Sequence, residues 1–379
     1  MKAVPPNTRF AFRSCGAAAP TARGHRERSS ATALAIGFVV TVVVQFGIGQ
    51  AVRSAPGAFS DPLYHDKRER LRAHPAGAPA GTGRPFALLF LGSSRTYDAV
   101  NAGAAAAALT HDLGRPVAAF DFATSGAGPV TLALHLRRLL ADGVAPDAVV
   151  IEVHPAFLAS QVWPPFETCW LRPIRLRPGE TSLARDLGFP TDAPGAHGLR
   201  GLFLAGYEYR THLLERYCPE LSPLPYRLTS GPETDRHGFV RVPNLLPRQR
   251  ERLRAWTREQ YAPCWTGYIP GGCALAALRD ALGTCRAIGV RTALLVTPES
   301  AEFRGWYAEP GRARIVPLLN ELAREFEAPF VDAREWLPDD LIADGHHLTG
   351  TGADVFTERL VRDALAPWLR AQEGANHER

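Results

Sequence analysis

A hydroxyl becomes a nucleophile when an imidazole takes its proton, and the imidazole does this better when a carboxylate holds its other nitrogen. Two short stretches of the chain carry these residue types. Gly92-Ser93-Ser94 closes the apolar run Phe86 to Leu91, and Asp344-Gly-His-His347 lies far down the chain, leading into Leu-Thr-Gly-Thr-Gly. An aspartate three residues before a histidine can orient the ring and stabilise its cationic form, while the other ring nitrogen receives the serine proton. Each stretch also has a plainer reading. Ser94 fits a turn serine that caps the next helix. Asp344 to His347 fits a polar helix-start turn, or a metal pair at His346 and His347. Adjacent histidines without further ligands seldom hold a metal, so neither a metal nor a cofactor is expected.

These groups can meet only if the chain between them is folded to bring them together, and the apolar pattern indicates how. Short apolar runs at Phe86 to Leu91, Val117 to Phe122, Ala148 to Val153, Arg291 to Thr297 and Pro329 to Asp332 predict strands. Helical patterns alternate with them, at Asn101 to Leu113, Val130 to Leu140, Leu275 to Ala287, Ile315 to Phe326 and Thr351 to Leu369. This alternation predicts an α/β three-layer sandwich around a mostly parallel, five-stranded sheet, with chemistry at the carboxyl ends of the strands. Residues 160–270 break the pattern. They are dense in Pro, Arg and aromatics (Trp163, Trp170, Tyr207, Tyr209, Tyr217, Tyr226, Trp256, Trp265), with helical patterns only at Gly201 to Tyr217 and Arg248 to Tyr261. A structureless loop of that length is uncommon inside a compact domain, so an inserted cap subdomain over the sheet edge is expected.

The chain has 379 residues, of which 46% are hydrophobic, enough for a sizeable core, and a net charge of +5. The arginines are scattered, and no basic-aromatic block or zinc-finger spacing occurs, so a nucleic-acid partner is not expected. There is no P-loop and no Gly-x-Gly-x-x-Gly turn to hold a nucleotide. Residues 1–30 are polar and basic, which predicts a disordered tail. Ala31 to Val52 carries no charge and is long enough to span a bilayer as one helix. The alternative is a cleaved signal peptide ending at Gly49-Gln-Ala51. Arg53, Lys67, Arg68, Arg70 and Arg72 nearly balance the basic residues before the span, but a first helix usually keeps its basic tail in the cytoplasm. The expectation is therefore a single-pass inner (cytoplasmic) membrane protein with an extracytoplasmic, periplasmic domain. Residues 53–83 read as a linker with a helical piece around His65 to His74 and a flexible end. The domain then spans 84–370, and 371–379 is a second disordered tail. Of the six cysteines, Cys15 lies in the tail. An oxidising compartment would permit disulfides, with Cys264–Cys273 and Cys169–Cys218 as the expected pairs.

A Gly-x-Ser turn after the first strand, a Gly-containing turn after the second and Asp-x-x-His after the last together resemble the SGNH (GDSL-type) hydrolase superfamily. The resemblance makes Ser94 the nucleophile, His347 the base and Asp344 its acid. It gives the oxyanion to the backbone N–H groups of Ser94 and Gly126, the latter closing Asp121-Phe-Ala-Thr-Ser-Gly126. The family's third block carries an asparagine after strand three; here the segment reads Glu152-Val-His154-Pro155, and His154 is the candidate replacement, beside a purely structural reading. The amino-terminal anchor and Asp-Gly-x-His-Leu are similar to the cell-surface branch that includes alginate O-acetylation proteins and the D-alanyl transfer protein of teichoic acids. That likeness implies a serine esterase or O-acyltransferase acting on acyl esters of an extracytoplasmic glycan or lipid-linked substrate, with a membrane-bound acyltransferase as a partner. It also implies a substrate pocket lined by Arg95, Glu299, Arg304 and Tyr307. The competing class is a catalytically inactive envelope protein of the same fold that binds glycan through its aromatic-rich insertion.

Overall fold

The computed structural model describes residues 21–54, 61–79, 81, 83–171, 175–177, 179–191, 205–208, 210, 213–214, 218–221, 234–242, 245–307 and 309–377. Its frame is a parallel five-stranded sheet in the order β2-β1-β3-β4-β5. The strands are β1 (Phe86–Leu91), β2 (Val117–Asp121), β3 (Ala148–Glu152), β4 (Arg291–Val296) and β5 (Phe330–Asp332). All five expected strands form, with ends that differ only slightly from the expected ones. β1 is buried throughout because helices cover both faces of the sheet. Phe86, Leu88 and Phe90 point into one apolar layer, and Ala87, Leu89 and Leu91 into the other, as a pleated strand requires.

The helices that matter below are α1 (Thr21–Ser54), α2 (Pro62–Arg72), α3 (Ser94–Ala99), α4 (Ala102–Leu113), α5 (Pro129–Ala141), α6 (Pro247–Trp265), α7 (Gly272–Ala287), α8 (Ala301–Trp306), α9 (Glu309–Glu325), α10 (Gly350–Leu360) and α11 (Ala366–His377). Leu132 and Leu136 of α5, Leu278 and Leu282 of α7, and Leu319 and Leu322 of α9 fill one layer. Leu109 of α4, Phe356 and Leu360 of α10 and Leu369 of α11 fill the other. Local signals set the helix ends. Asn101 caps α4 by accepting the N–H of Ala104 at 3.0 Å, and Gly114 ends it in the left-handed region.

In α1, Ser30–Ala51 is the one helix among the described residues long and apolar enough to cross a membrane or serve as a signal sequence, with a mean hydropathy of 2.2. Leu34, Phe38 and Val43 are more than half exposed, so the rest of the molecule does not cover this surface. Thr21 to Ser30, expected as part of a disordered tail, belongs to the same helix; positions 1–20 lie outside the described residues.

Four expectations need correction. Residues 61–77 are not a tether. α2 and the turn Pro75–Gly77 bury Tyr64, Leu71 and Ala76 in the α5 layer, so the domain begins by Asp61. The tail 371–379 is helical through His377, because Leu365 and Leu369 anchor the last turns; 378–379 lie outside the described residues. The insertion at 160–270 does more than cover an edge: Phe166, Leu171, Leu176, Ala184, Phe189, Tyr261 and Cys264 join the main core. The expected disulfides are absent: Cys169, Cys218, Cys264, Cys273 and Cys285 form no disulfide bond. Cys264 is buried near Cys169 rather than bonded to Cys273, and burial together with the field of Cys169 pushes its thiol up to about 12. Cys15, Tyr209, Tyr217, Tyr226 and most of Gly201 to Tyr217 lie outside the described residues; within that stretch, Ala205–Glu208 is helical.

If α2 belongs to the domain, Leu71→Ala leaves a cavity and costs about 2–5 kcal/mol of stability. Urea unfolding of the detergent-solubilised chain measures this, and an unchanged midpoint would mean that the segment is a loose linker.

Candidate active site

β1 has β2 on one side and β3 on the other, so the connections leave it in opposite directions and open a crevice at its carboxyl end. The chain turns there through Gly92 into α3, and Ser94 is the first helical residue. Ser93 caps the helix, its Oγ accepting the N–H of Arg95 at 3.2 Å. From the other end of the chain, Ile342 and Leu348 pair as a short antiparallel bridge, and Ala343 N–H donates to the His347 carbonyl at 2.7 Å. This small loop carries Asp344, His346 and His347 to the same rim.

Here the two distant stretches meet. Ser94 Oγ lies 2.8 Å from His347 Nε2, and His347 Nδ1 lies 2.7 Å from Asp344 Oδ2. Asp344 Oδ1 accepts the backbone N–H groups of His346 (3.2 Å) and His347 (3.0 Å), which fixes the carboxylate. The ring therefore donates from Nδ1 to Asp344 and offers Nε2 to the serine hydroxyl. Burial alone would lower His347, but the Asp344 carboxylate, with Asp98 beyond it, outweighs this and raises it to about 9. Burial would raise Asp344, and the facing His347 and His346 instead hold it well below the usual carboxylate range. Asp98, buried one helical turn after Ser94, is pushed well above its ordinary value by burial.

His346 packs tilted against His347 with ring centroids 4.1 Å apart and against Phe303 at 5.0 Å, and edge-on against Tyr261 at 5.1 Å. Burial, with the charge of His347, keeps it neutral. Asp344, His346 and His347 offer ligand atoms within 4.8 Å of one another. A metal ion held by His347 there would take a ring nitrogen that already serves Asp344 or Ser94.

Gly126 adopts φ +72, a conformation that favours glycine, and a Cβ there would sit 2.2 Å from Trp170. An insertion tryptophan thus lies directly on the turn after β2. Among the described residues, no acceptor takes the N–H of Ser94 or of Gly126. His154, at the end of β3, is 3% exposed, and its Nδ1 accepts the N–H of Ala156 at 3.2 Å. The proton must then reside on Nε2, which is buried without a partner among the described residues. Burial, followed by the charge of Arg95, holds this ring neutral.

The four residues expected to line a pocket are engaged with one another and with nearby carbonyl groups. Arg95 and Glu299 are fully buried, and they pair at 3.0 Å. Arg95 also donates to the Thr297 carbonyl at 2.9 Å, and the Tyr307 hydroxyl donates to Glu299. Arg304 donates to the carbonyl oxygens of Glu299 and Arg334. These groups form a neutralising network beneath the crevice, because a buried guanidinium must be met by carboxylates and carbonyls. Sequence reasoning missed Ser93, Thr96, Asp98 and Glu152 as members of the site, and considered His346 only as a metal ligand. Glu152 did leave a signal, a carboxylate closing an otherwise apolar strand.

No protein-family model matches the chain, and no curated protein matches it. Among solved structures it is similar to a lipase/acylhydrolase from Enterococcus faecalis (13% identity, 73% of this chain, 94% of that chain, TM-score 0.31). It is also similar to a catalytic mutant of an acetylxylan esterase from Geobacillus stearothermophilus (12%, 75% and 95%, TM-score 0.34). A carbohydrate acetylesterase family member from Sinorhizobium meliloti gives 15% identity, 76% and 99% coverage and a TM-score of 0.29. Likeness at this level decides neither family nor activity, and the functional reading rests on the geometry.

A base must be neutral to accept a proton, so with His347 raised to about 9 the reaction of Ser94 should speed up as pH rises through that value. Asp344→Asn removes the field that raises the ring. The midpoint of the pH profile should then fall, and the maximal rate should drop by about 10⁴. Labelling rates with a fluorophosphonate across pH measure both effects.

Proposed function

We propose that the chain is a membrane-anchored SGNH-type serine esterase or O-acyltransferase, acting on acyl esters of an extracytoplasmic glycan or a lipid-linked substrate. The observation that carries this reading is the unbroken line of hydrogen bonds from Ser94 through His347 to Asp344. As Ser94 Oγ attacks the acyl carbonyl, His347 Nε2 takes its proton and Asp344 stabilises the resulting cation. The tetrahedral oxyanion is received by the N–H groups of Ser94 and Gly126 and by Nε2–H of His154. His347 returns the proton to the departing alcohol, leaving an acyl-serine. Water or a sugar hydroxyl then gives its proton to His347 and takes the acyl group. The two outcomes differ only in the acceptor.

His154 supplies what the asparagine of the third block would otherwise give. Its tautomer leaves one buried N–H unspent, and burial keeps the ring from ionising. Losing one oxyanion donor costs about 10²–10³ in rate. His154→Ala should therefore slow turnover of a small acyl ester by that factor, whereas His154→Asn, which restores a donor, should recover part of it.

The length and apolar character of α1 support anchoring in a membrane; the inner membrane and a periplasmic domain are our reading from the basic tail that precedes the span. The chain should stay with the membrane through an alkaline carbonate wash, and protease added outside spheroplasts should reach the domain. A membrane-bound acyltransferase that loads Ser94 fits the same placement. The second reading is a non-catalytic glycan binder, favoured by exposed rings on the insertion: Trp163 is 72% exposed and Tyr207 59%. A fluorophosphonate separates the two readings. Labelling of the wild type but not of Ser94→Ala supports the enzyme, and a native wild type that is not labelled supports the binder.

A further inference from the structure

The turn that presents Ser94 is wrapped around a buried carboxylate. Glu152, 3% exposed at the end of β3, accepts through Oε2 from Ser93 N–H at 2.7 Å, Thr96 Oγ1 at 2.7 Å and Thr96 N–H at 3.2 Å. Its Oε1 accepts Ser93 Oγ at 2.9 Å and lies 4.0 Å from Arg95 Nε. Gly92 makes this closeness possible: a Cβ there would stand 2.6 Å from Glu152 Oε2 and 2.3 Å from Thr96 Oγ1. The Arg95 N–H goes to Ser93 Oγ, which Glu152 itself orients. Of the four backbone donors from Ser93 to Thr96, three are thus taken inside the turn. The fourth belongs to Ser94 and has no acceptor among the described residues.

We infer that Glu152 is a positioning residue that fixes the nucleophile turn, gathering its donors so that the Ser94 N–H alone stays free for an oxyanion and the Ser94 hydroxyl stays in reach of His347. The inference rests on the serine-nucleophile reading and deepens it. It gives a buried charge on β3 a task in the chemistry without contact with substrate. β3 pairs with β1 residue by residue up to Leu91 and Ile151, so the carboxylate is held against the turn by the sheet itself. Arg95, which also pairs with Glu299, and the donors of the turn keep the charge from being stranded.

Glu152→Gln keeps the shape and removes the charge and one acceptor. In the full chain, kinact for a fluorophosphonate should fall by about 10- to 100-fold, the loss expected when reacting atoms shift by around an ångström. Its non-covalent KI and the pH midpoint should not change, because the pocket and the His347–Asp344 pair are untouched. Thr96→Val removes only one of the donors and should give a smaller fall in kinact. A merely structural role would lower stability and leave kinact of the folded fraction at the wild-type level, and that result overturns the inference. If Glu152→Gln does not fold, Thr96→Val decides, and a wild-type kinact there overturns it as well. Wild type that labels while Ser94→Ala does not shows that the enzyme reading stands, whatever Glu152→Gln does. Should the wild type not label, amide hydrogen exchange still tests the turn. Ser93 and Thr96 should be protected in the wild type and exchange faster in Glu152→Gln; equal exchange overturns the inference.

Discussion

The hydrogen bond between Ser94 and His347 joins residues 253 positions apart, and most of the architecture can be understood as a means of keeping it short. Neither partner lies on a long element. One begins a six-residue helix and the other sits on a loop between β5 and α10. What fixes them is the carboxyl end of an interior strand on one side and a bridged, internally hydrogen-bonded loop on the other. The loop closes on Thr349, which caps α10 by accepting the Gly352 N–H at 3.0 Å. α10 in turn packs Phe356 into the layer that receives Leu88 and Phe90 of β1, so one apolar layer supports both the strand behind the serine and the helix behind the histidine.

Burying ionisable groups near one another is costly unless each finds a partner. Around this crevice Glu152, Glu299 and Asp344 are all buried, and Arg95 stands between the first two while His347 faces the third. The aromatic floor of Tyr261, Phe303 and His346 excludes water, which strengthens the remaining interactions. The Asp344–His347 interaction is therefore strong enough to move both groups in opposite directions. The same dryness keeps His154 and His346 uncharged, so three nearby imidazoles end up with different protonation behaviour.

The segment that begins at Asp61 is built into this arrangement. Lys67 of α2 donates to the carbonyl oxygens of Asp121 and Gly238 at 2.9 and 2.8 Å and lies over the Tyr97 ring. Burial lowers it to about 8, and burial likewise raises Asp121 to about 7. Asp61 accepts from Arg138 of α5 and Arg175 of the insertion at 3.0 and 2.7 Å. The segment Asp61 to Arg72 is thus fastened to the end of β2, to α5 and to the insertion.

Several features were legible in the residues alone. The apolar runs and their helical partners marked the strands, because burial on both faces leaves a continuous hydrophobic signature. Gly-Ser-Ser and Asp-x-x-His marked the two loops, because the chemistry demands those side chains at that spacing. The uncharged span from Ala31 to Val52 announced itself by length. Other features depended on contacts between residues distant in sequence. The partners of Arg95, Glu299, Arg304 and Tyr307 could not be read from their spacing, and α2 looks like a charged linker until Tyr64 and Leu71 are found in the core. The tautomer of His154 follows from the Ala156 N–H, and the meaning of Glu152 from a turn on a different strand. Sequence determines which groups can be buried or react; only packing decides which donor meets which acceptor, because a hydrogen bond is set by distance and angle in space and not by position along the chain.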